Sequence, residues 1–158
     1  MLHVEYITPK ITKILTRVRV AEIQAIAIYE AEIYLARTPE RKKLLHGIYD
    51  EEIEHDEILS RYANPSSFEV GLNRVVGWLV GGVLSLLPWT WLCRIQSWAE
   101  NEAAKIYESG LGDVRAEWKR IGVSGDFLLE SALYEASVQE KRHSEQFKTR
   151  KIPVGLCR

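Results

Sequence analysis

Glu52 and His55 stand three residues apart in the middle of an apolar helical stripe, and Glu140 and His143 repeat the arrangement later in the chain. Residues i and i+3 share one face of an α-helix. Each Glu-x-x-His pair therefore points the same way as the apolar side chains around it. In the first stretch those side chains are Leu45, Ile48, Leu59 and Tyr62; in the second they are Leu129, Leu133, Ala136 and Phe147. A charged group on a core-facing stripe carries a heavy desolvation cost unless something compensates it.

Two further stripes carry the same anomaly. Leu15, Val18, Ala25, Tyr29 and Ile33 run past Glu22, and Cys93, Ala103, Ala104, Tyr107 and Leu111 run past Glu100. Glu30 and Glu32 compete with Glu22, although Glu30 is off the stripe, and Glu102 competes with Glu100. A bundle core that takes a Glu from each of two helices and a Glu-x-x-His from each of two others is the ligand set of a carboxylate-bridged di-iron or di-manganese site. Four carboxylates offset the charge of two divalent ions, and one imidazole per metal leaves positions open for oxygen chemistry. Tyr107 reads either as a tyrosine behind the ligands, capable of holding a radical, or as a core tyrosine with a satisfied hydroxyl. His3 and His46 have no partner pattern and read as surface residues.

The punctuation of the chain supports long helices. Thr8-Pro9 and Thr38-Pro39 each place an N-cap before a proline at the first helical position. The first helix is predicted to run to about Arg37, and the second to about Tyr62, where Asn64-Pro65 ends it. So short a connection makes the two antiparallel neighbours. A third helical region, 66–111, is expected to break near Pro88 and to end at Gly110 and Gly112. A short amphipathic piece over 113–121 and a turn from Gly122 to Gly125 follow. Ser124 or Asp126 then caps a last helix over 126–149, and Pro153 and Gly155 close it. No segment alternates like a strand. The expected architecture is one all-α domain over 1–158, a four-helix bundle with additional short helices.

Composition narrows the function classes. A formal net charge of −1 gives no global field for nucleic acid, and the cluster Arg41-Lys42-Lys43 reads as a solvated helix face. Cys93 and Cys157 form no disulfide framework and suggest a reducing compartment. The opening "MLHVEYITPK" lacks the apolar core of a signal peptide. Residues 77–93, "GWLVGGVLSLLPWTWLC", carry no charge and lie between Arg74 and Arg94. The run is slightly short for a spanning helix and is interrupted by Pro88. Tryptophans at both ends suit a membrane interface, so it reads as a helix that dips into one leaflet or walls an apolar channel. The alternatives are a core helix or a dimer face.

Glu22 followed by "IQAIAIY", the "EIEH" that begins at Glu52, "AENEAAKIY" and the late "EKRH" resemble the demethoxyubiquinone hydroxylases, over roughly residues 10–147. These are membrane-associated, ferritin-like di-iron monooxygenases of ubiquinone biosynthesis. In that family the first-helix and third-helix glutamates are each followed seven residues on by a tyrosine, here Glu22 with Tyr29 and Glu100 with Tyr107. The resemblance thereby implies the ligands Glu22, Glu52, His55, Glu100, Glu140 and His143 for two iron ions, with manganese as the alternative metal. It also implies a polyprenyl quinone or quinol substrate, O2 as co-substrate, an electron donor outside the chain such as NADH, and a peripheral position on a membrane surface. That surface would be the cytoplasmic face of the cell or inner membrane, or the matrix face in a mitochondrion. A second copy or a helper protein is a further candidate partner. The chain departs from the family pattern in "RVRVA" before Glu22, in Lys13 where the family has an arginine, in its wealth of tryptophan, and in the few residues that follow His143. The same ligands without an organic substrate would make a ferroxidase or peroxide scavenger, and vestigial ones a non-catalytic helical membrane adaptor.

Overall fold

A computed structural model describes residues 6–149. Five helices occupy them: α1 (Pro9–Leu35), α2 (Pro39–Leu59), α3 (Ser67–Ser85), α4 (Trp89–Ile121) and α5 (Phe127–Thr149). No strand occurs among the described residues. His3, Cys157, Pro153 and Gly155 lie outside them.

The capping chemistry explains most helix starts. Thr8 and Thr38 accept the N–H groups of Ile11 and Arg41 at 3.2 and 3.3 Å, each ahead of a proline at the first position. Ser66 and Glu69 form a reciprocal capping box at the start of α3. Asp126, rather than Ser124, caps α5 by accepting from Leu128 and Leu129 at 2.9 and 3.2 Å. α4 ends at Gly122, whose φ of +75° is the left-handed conformation that glycine adopts without strain.

Two sequence expectations need correction. The third helical region does not end at Gly110 and Gly112, and residues 113–121 are no separate piece: α4 runs unbroken to Ile121. Gly110 is buried in the α1–α4 crossing, where a Cβ would meet Val18 Cγ2 at 3.4 Å. A mid-helix glycine costs only about 1 kcal/mol, which packing readily overrides. Nor is the additional element short. α3 is a 19-residue helix laid along α1, and Pro88 separates it from α4.

Side-chain contacts give the directions. Thr8 meets Glu117 and Trp118 donates to the Tyr6 carbonyl, so the start of α1 lies beside the end of α4. Arg19 binds Asp56 and the carbonyl of Ala63, making α1 and α2 antiparallel. Arg115 bonds Glu130 and Ser97 bonds Ser144, making α4 and α5 antiparallel. α2 and α5 also pack on each other, as do α1 and α4. With α1 taken as up, α2 and α4 run down and α5 runs up. α3 supplies the return from the bottom of α2 to the top of α4. Gly77 and Gly81 let it approach so closely that a Cβ on either would collide with a carbonyl oxygen of α1, that of Gln24 or Ile28.

The interior divides into two apolar clusters. One gathers Leu15, Val18, Leu59, Tyr107, Leu111 and Leu133; the other gathers Tyr29, Leu45, Ile48, Leu92, Cys93 and Phe147. All four helices α1, α2, α4 and α5 pass through both. Between the clusters, each of the four presents charged side chains.

Candidate metal centre

Those side chains are the six singled out in the sequence. Glu22, Glu52, His55, Glu100, Glu140 and His143 are all buried, none more than 5% exposed. They form two overlapping quartets, Glu22–Glu52–His55–Glu140 and Glu52–Glu100–Glu140–His143, in each of which the ligand atoms lie within 4.8 Å of one another. Glu52 and Glu140 belong to both.

The oxygens divide accordingly. His55 Nδ1 faces Glu140 Oε1 at 3.4 Å, Glu22 Oε2 at 3.5 Å and Glu52 Oε2 at 3.8 Å. His143 Nδ1 faces Glu52 Oε1 at 3.5 Å, Glu100 Oε2 at 3.5 Å and Glu140 Oε2 at 3.7 Å. Each shared carboxylate thus turns one oxygen to each position, which is the geometry of a bridge. Glu22 and Glu100 each serve one position only.

A second layer fixes the ligands. His143 Nε2 lies 3.0 Å from Glu51 Oε2, and His55 Nε2 lies 2.5 Å from Gln139 Oε1. A carboxylate or amide oxygen can only accept, so Nε2 carries a proton, and in the neutral imidazole the Nδ1 lone pair faces the cluster. The Tyr29 hydroxyl donates to Glu100 Oε1, leaving Oε2 for the centre. The Tyr107 ring stands edge-on to His55, with centroids 5.7 Å apart, and its hydroxyl is buried without a hydrogen-bond partner. Sequence reasoning missed Glu51 and Gln139. Each directly precedes a ligand glutamate, but each supports the histidine of the other helix, a pairing visible only once α2 and α5 are side by side.

The electrostatics show what the cluster can take. Burial, then the charge of Glu52, pushes the Glu22 carboxyl well above its ordinary range, and burial does the same to Glu100. Burial alone would lower both imidazoles, but the carboxylates crowding each of them raise it strongly. Burial would also raise Glu52 and Glu140, yet the histidines beside them leave both below the ordinary value. Without cations the centre therefore gathers protons. Glu22 Oε2, Glu52 Oε1, His55 Nδ1, Glu140 Oε1 and His143 Nδ1 are also buried with no hydrogen-bond partner. Buried polar atoms seldom stay unpaired, and these five converge on two points. The donor set, oxygens with one imidazole nitrogen per position, fits divalent first-row metals. The buried clusters can hold metal ions.

The competing residues sit elsewhere. Glu30 binds Arg74, and Glu102 binds Lys105 at the surface. Glu32 is buried beside Gln96, which donates to it at 2.7 Å. His46 is exposed, with its ring edge-on to Tyr49. Glu117, buried and not singled out by its sequence pattern, joins Lys10 and Arg120 where α1 begins and α4 ends. A groove of about 320 Å³ between α1 and α4, lined in part by Ile14, Arg17 and Asp113, contains no member of either quartet.

The tryptophan-rich segment divides. Trp89 is a core residue under the Arg41 guanidinium, whereas Trp78, Trp91 and Trp98 are 45%, 56% and 65% exposed. No helix among the described residues is long and apolar enough to cross a membrane. Phe68, Leu72, Val75, Leu79, Val83 and Leu86 nevertheless form an exposed apolar stripe along the outer face of α3.

These features define a class, a helical bundle with two buried, overlapping carboxylate–histidine clusters that can hold metal ions. No protein-family model matches the chain, and no curated protein or solved structure matches it either.

Proposed function

We propose that this chain is a ferritin-like di-iron monooxygenase that hydroxylates a demethoxyubiquinone-type quinone or quinol ring at a membrane surface. The observation that carries the reading is the pair of quartets sharing Glu52 and Glu140. Two antiparallel pairs joined by one long crossover, with Glu on two helices and Glu-x-x-His on the other two, is the ferritin-like plan. When bound, iron would supply the activation of O2, with electrons from a donor such as NADH. Glu52 and Glu140 hold the two positions together, and Glu22 and Glu100 close the outer sides. Tyr107 keeps its phenolic proton, because burial and then Glu22 raise its pKa well above the ordinary value. That places a neutral O–H at the edge of the His55 position. The two apolar clusters exclude water on both sides. For the substrate, support comes from the resemblance and from the apolar outer stripe of α3, which suits a surface where a lipid-soluble ring is delivered.

Anaerobic loading with Fe(II) is expected to give two ions per chain, and admitting O2 an oxygen-dependent spectral change. Glu52→Ala, which removes a donor from both quartets, is expected to lose metal from both positions, and His55→Ala from its own. Full metal content in both variants would refute the ligand assignment. Short-tailed quinones then separate a monooxygenase from a ferroxidase or peroxide scavenger, which would consume Fe(II) and O2 but leave the ring unaltered. Leu79→Ser combined with Val83→Ser is expected to leave the fold intact and abolish flotation with phospholipid vesicles. Unchanged flotation would remove α3 as the membrane face.

A further inference from the structure

The centre is built on a local two-fold pattern. Glu22 on α1 corresponds to Glu100 on α4, and the Glu52–His55 pair on α2 to Glu140–His143 on α5. The second layer follows the same rule. The residue before each bridging glutamate reaches the histidine of the opposite helix, Glu51 to His143 and Gln139 to His55. The tyrosine seven residues after each outer glutamate lies across the α1–α4 seam, Tyr29 against Glu100 and Tyr107 near Glu22.

The inner six are chemically matched, so the two positions differ only in this outer layer. His143 rests on a carboxylate, itself paired with the exposed Arg142; His55 rests on a neutral amide. Glu100 is anchored by the Tyr29 hydroxyl, whereas the Tyr107 hydroxyl lies near Glu22 without making a hydrogen bond of good geometry to it. A histidine that donates to a carboxylate is a more basic metal ligand, and loss of such a partner costs 10- to 100-fold in affinity in metal sites generally. A ligand fixed beforehand loses less freedom on binding.

Taking the metal-centre reading as its basis, we infer that the two positions are inequivalent: the Glu100–His143 position, supported by Glu51 and Tyr29, fills first and holds its ion more tightly. The Glu22–His55 position, backed by Gln139 and bordered by Tyr107, is the exchangeable one. Glu51 and Gln139 are then positioning residues that set the order of loading.

Co(II) titration of the metal-free full chain tests this, followed by calorimetry and by the visible absorption of the bound ion. The wild type is expected to take up one ion per chain and then a second, at least about tenfold more weakly. Glu51→Gln keeps a hydrogen-bond acceptor for His143 and removes only the charge. It is expected to weaken the first step about 10- to 100-fold and leave the second, so that the two merge. Gln139→Glu is expected to strengthen the second step, and His55→Ala to retain the first. Circular dichroism before each titration identifies variants that fail to fold, and Gln139→Glu tests the idea by a gain rather than a loss. Equal affinities in the wild type would overturn the inference while leaving the dinuclear centre intact. The same holds if Glu51→Gln weakens both steps alike, or if His55→Ala loses the tight step. No Co(II) uptake at all would overturn the metal-centre reading itself.

Discussion

Glu32 shows what a buried carboxyl looks like when it is not part of the centre. It lies on α1 ten residues beyond Glu22, is 1% exposed, and has Gln96 as its hydrogen-bond partner. Burial raises its pKa to about 8, with the Gln96 hydrogen bond pulling the other way. The folded state therefore keeps a proton that the unfolded chain releases near 4.5. Stability from this group is complete below that value and declines, by up to about 1.4 kcal/mol per pH unit, until pH passes about 8. Glu32→Gln preserves the acceptor and removes the titration. Thermal melts should show the variant close to wild type at pH 5 and progressively more stable than it toward pH 8. A constant offset across that range would show that Glu32 does not hold its proton. Glu22 and Glu32 are both buried glutamates of one helix, and their burial does not separate them. Glu22 is distinguished by its neighbours on α2 and α5, which its own sequence surroundings do not contain.

At the scale of the element, α3 inverts the usual rule for a surface helix. Its buried residues are Gly77 and Gly81, and most of its large apolar side chains face outward, Leu84 being the one that packs on the core. The sequence 77–93 shows a charge-free run that Pro88 interrupts, but not that Gly77 and Gly81 make the close contact with α1, with Leu84 the leucine of α3 that packs on the core. Gly77 and Gly81, four apart, meet Ala27 and Ala31, also four apart, so two helices approach at the distance of their backbones. A methyl group at Gly81 would strike backbone that belongs to α1 and cannot rotate away. Gly81→Ala is expected to cost about 1–3 kcal/mol, as overpacking does, and to speed proteolysis on either side of α3. Gly82→Ala, with open space around its Cβ, should be neutral or stabilising by up to about 1 kcal/mol. Equal behaviour of the two variants would refute the close-packing account. Helix starts were far more legible. The Thr-Pro pairs and Asp126 declare themselves locally, whereas the passage of α4 through Gly110 depends on Val18, roughly ninety positions away along the chain.

For the whole molecule, the fold class and the two inward Glu-x-x-His pairs could be read from periodicity, because a stripe must face the core whatever the core contains; the choice of Glu22 and Glu100 over Glu32 and Glu102 came only with the family resemblance. The arrangement of the outer layer could not be read, since it depends on which helix stands beside which. The assembled centre also fixes a linkage to pH. Burial holds the Glu22 and Glu100 carboxyls above their ordinary range, and the surrounding carboxylates hold both imidazoles above theirs. Metal must displace those protons. Uptake should therefore release protons, and affinity should fall as pH is lowered. Calorimetry of Co(II) binding in buffers of different ionisation enthalpy measures the number released, and a count of zero would mean that the centre is already deprotonated.

The two quartets each borrow one carboxylate from the opposite helical pair: Glu140 from α5 for the first, Glu52 from α2 for the second. A growing polypeptide offers Glu22, Glu52 and His55 long before Glu140 has been made. No nascent stretch short of α5 can complete either quartet, since both need Glu140, so a partly synthesised chain is poorly equipped to capture a stray redox-active ion. Completion of the bundle and completion of both quartets are one event, and the last helix acts as the latch.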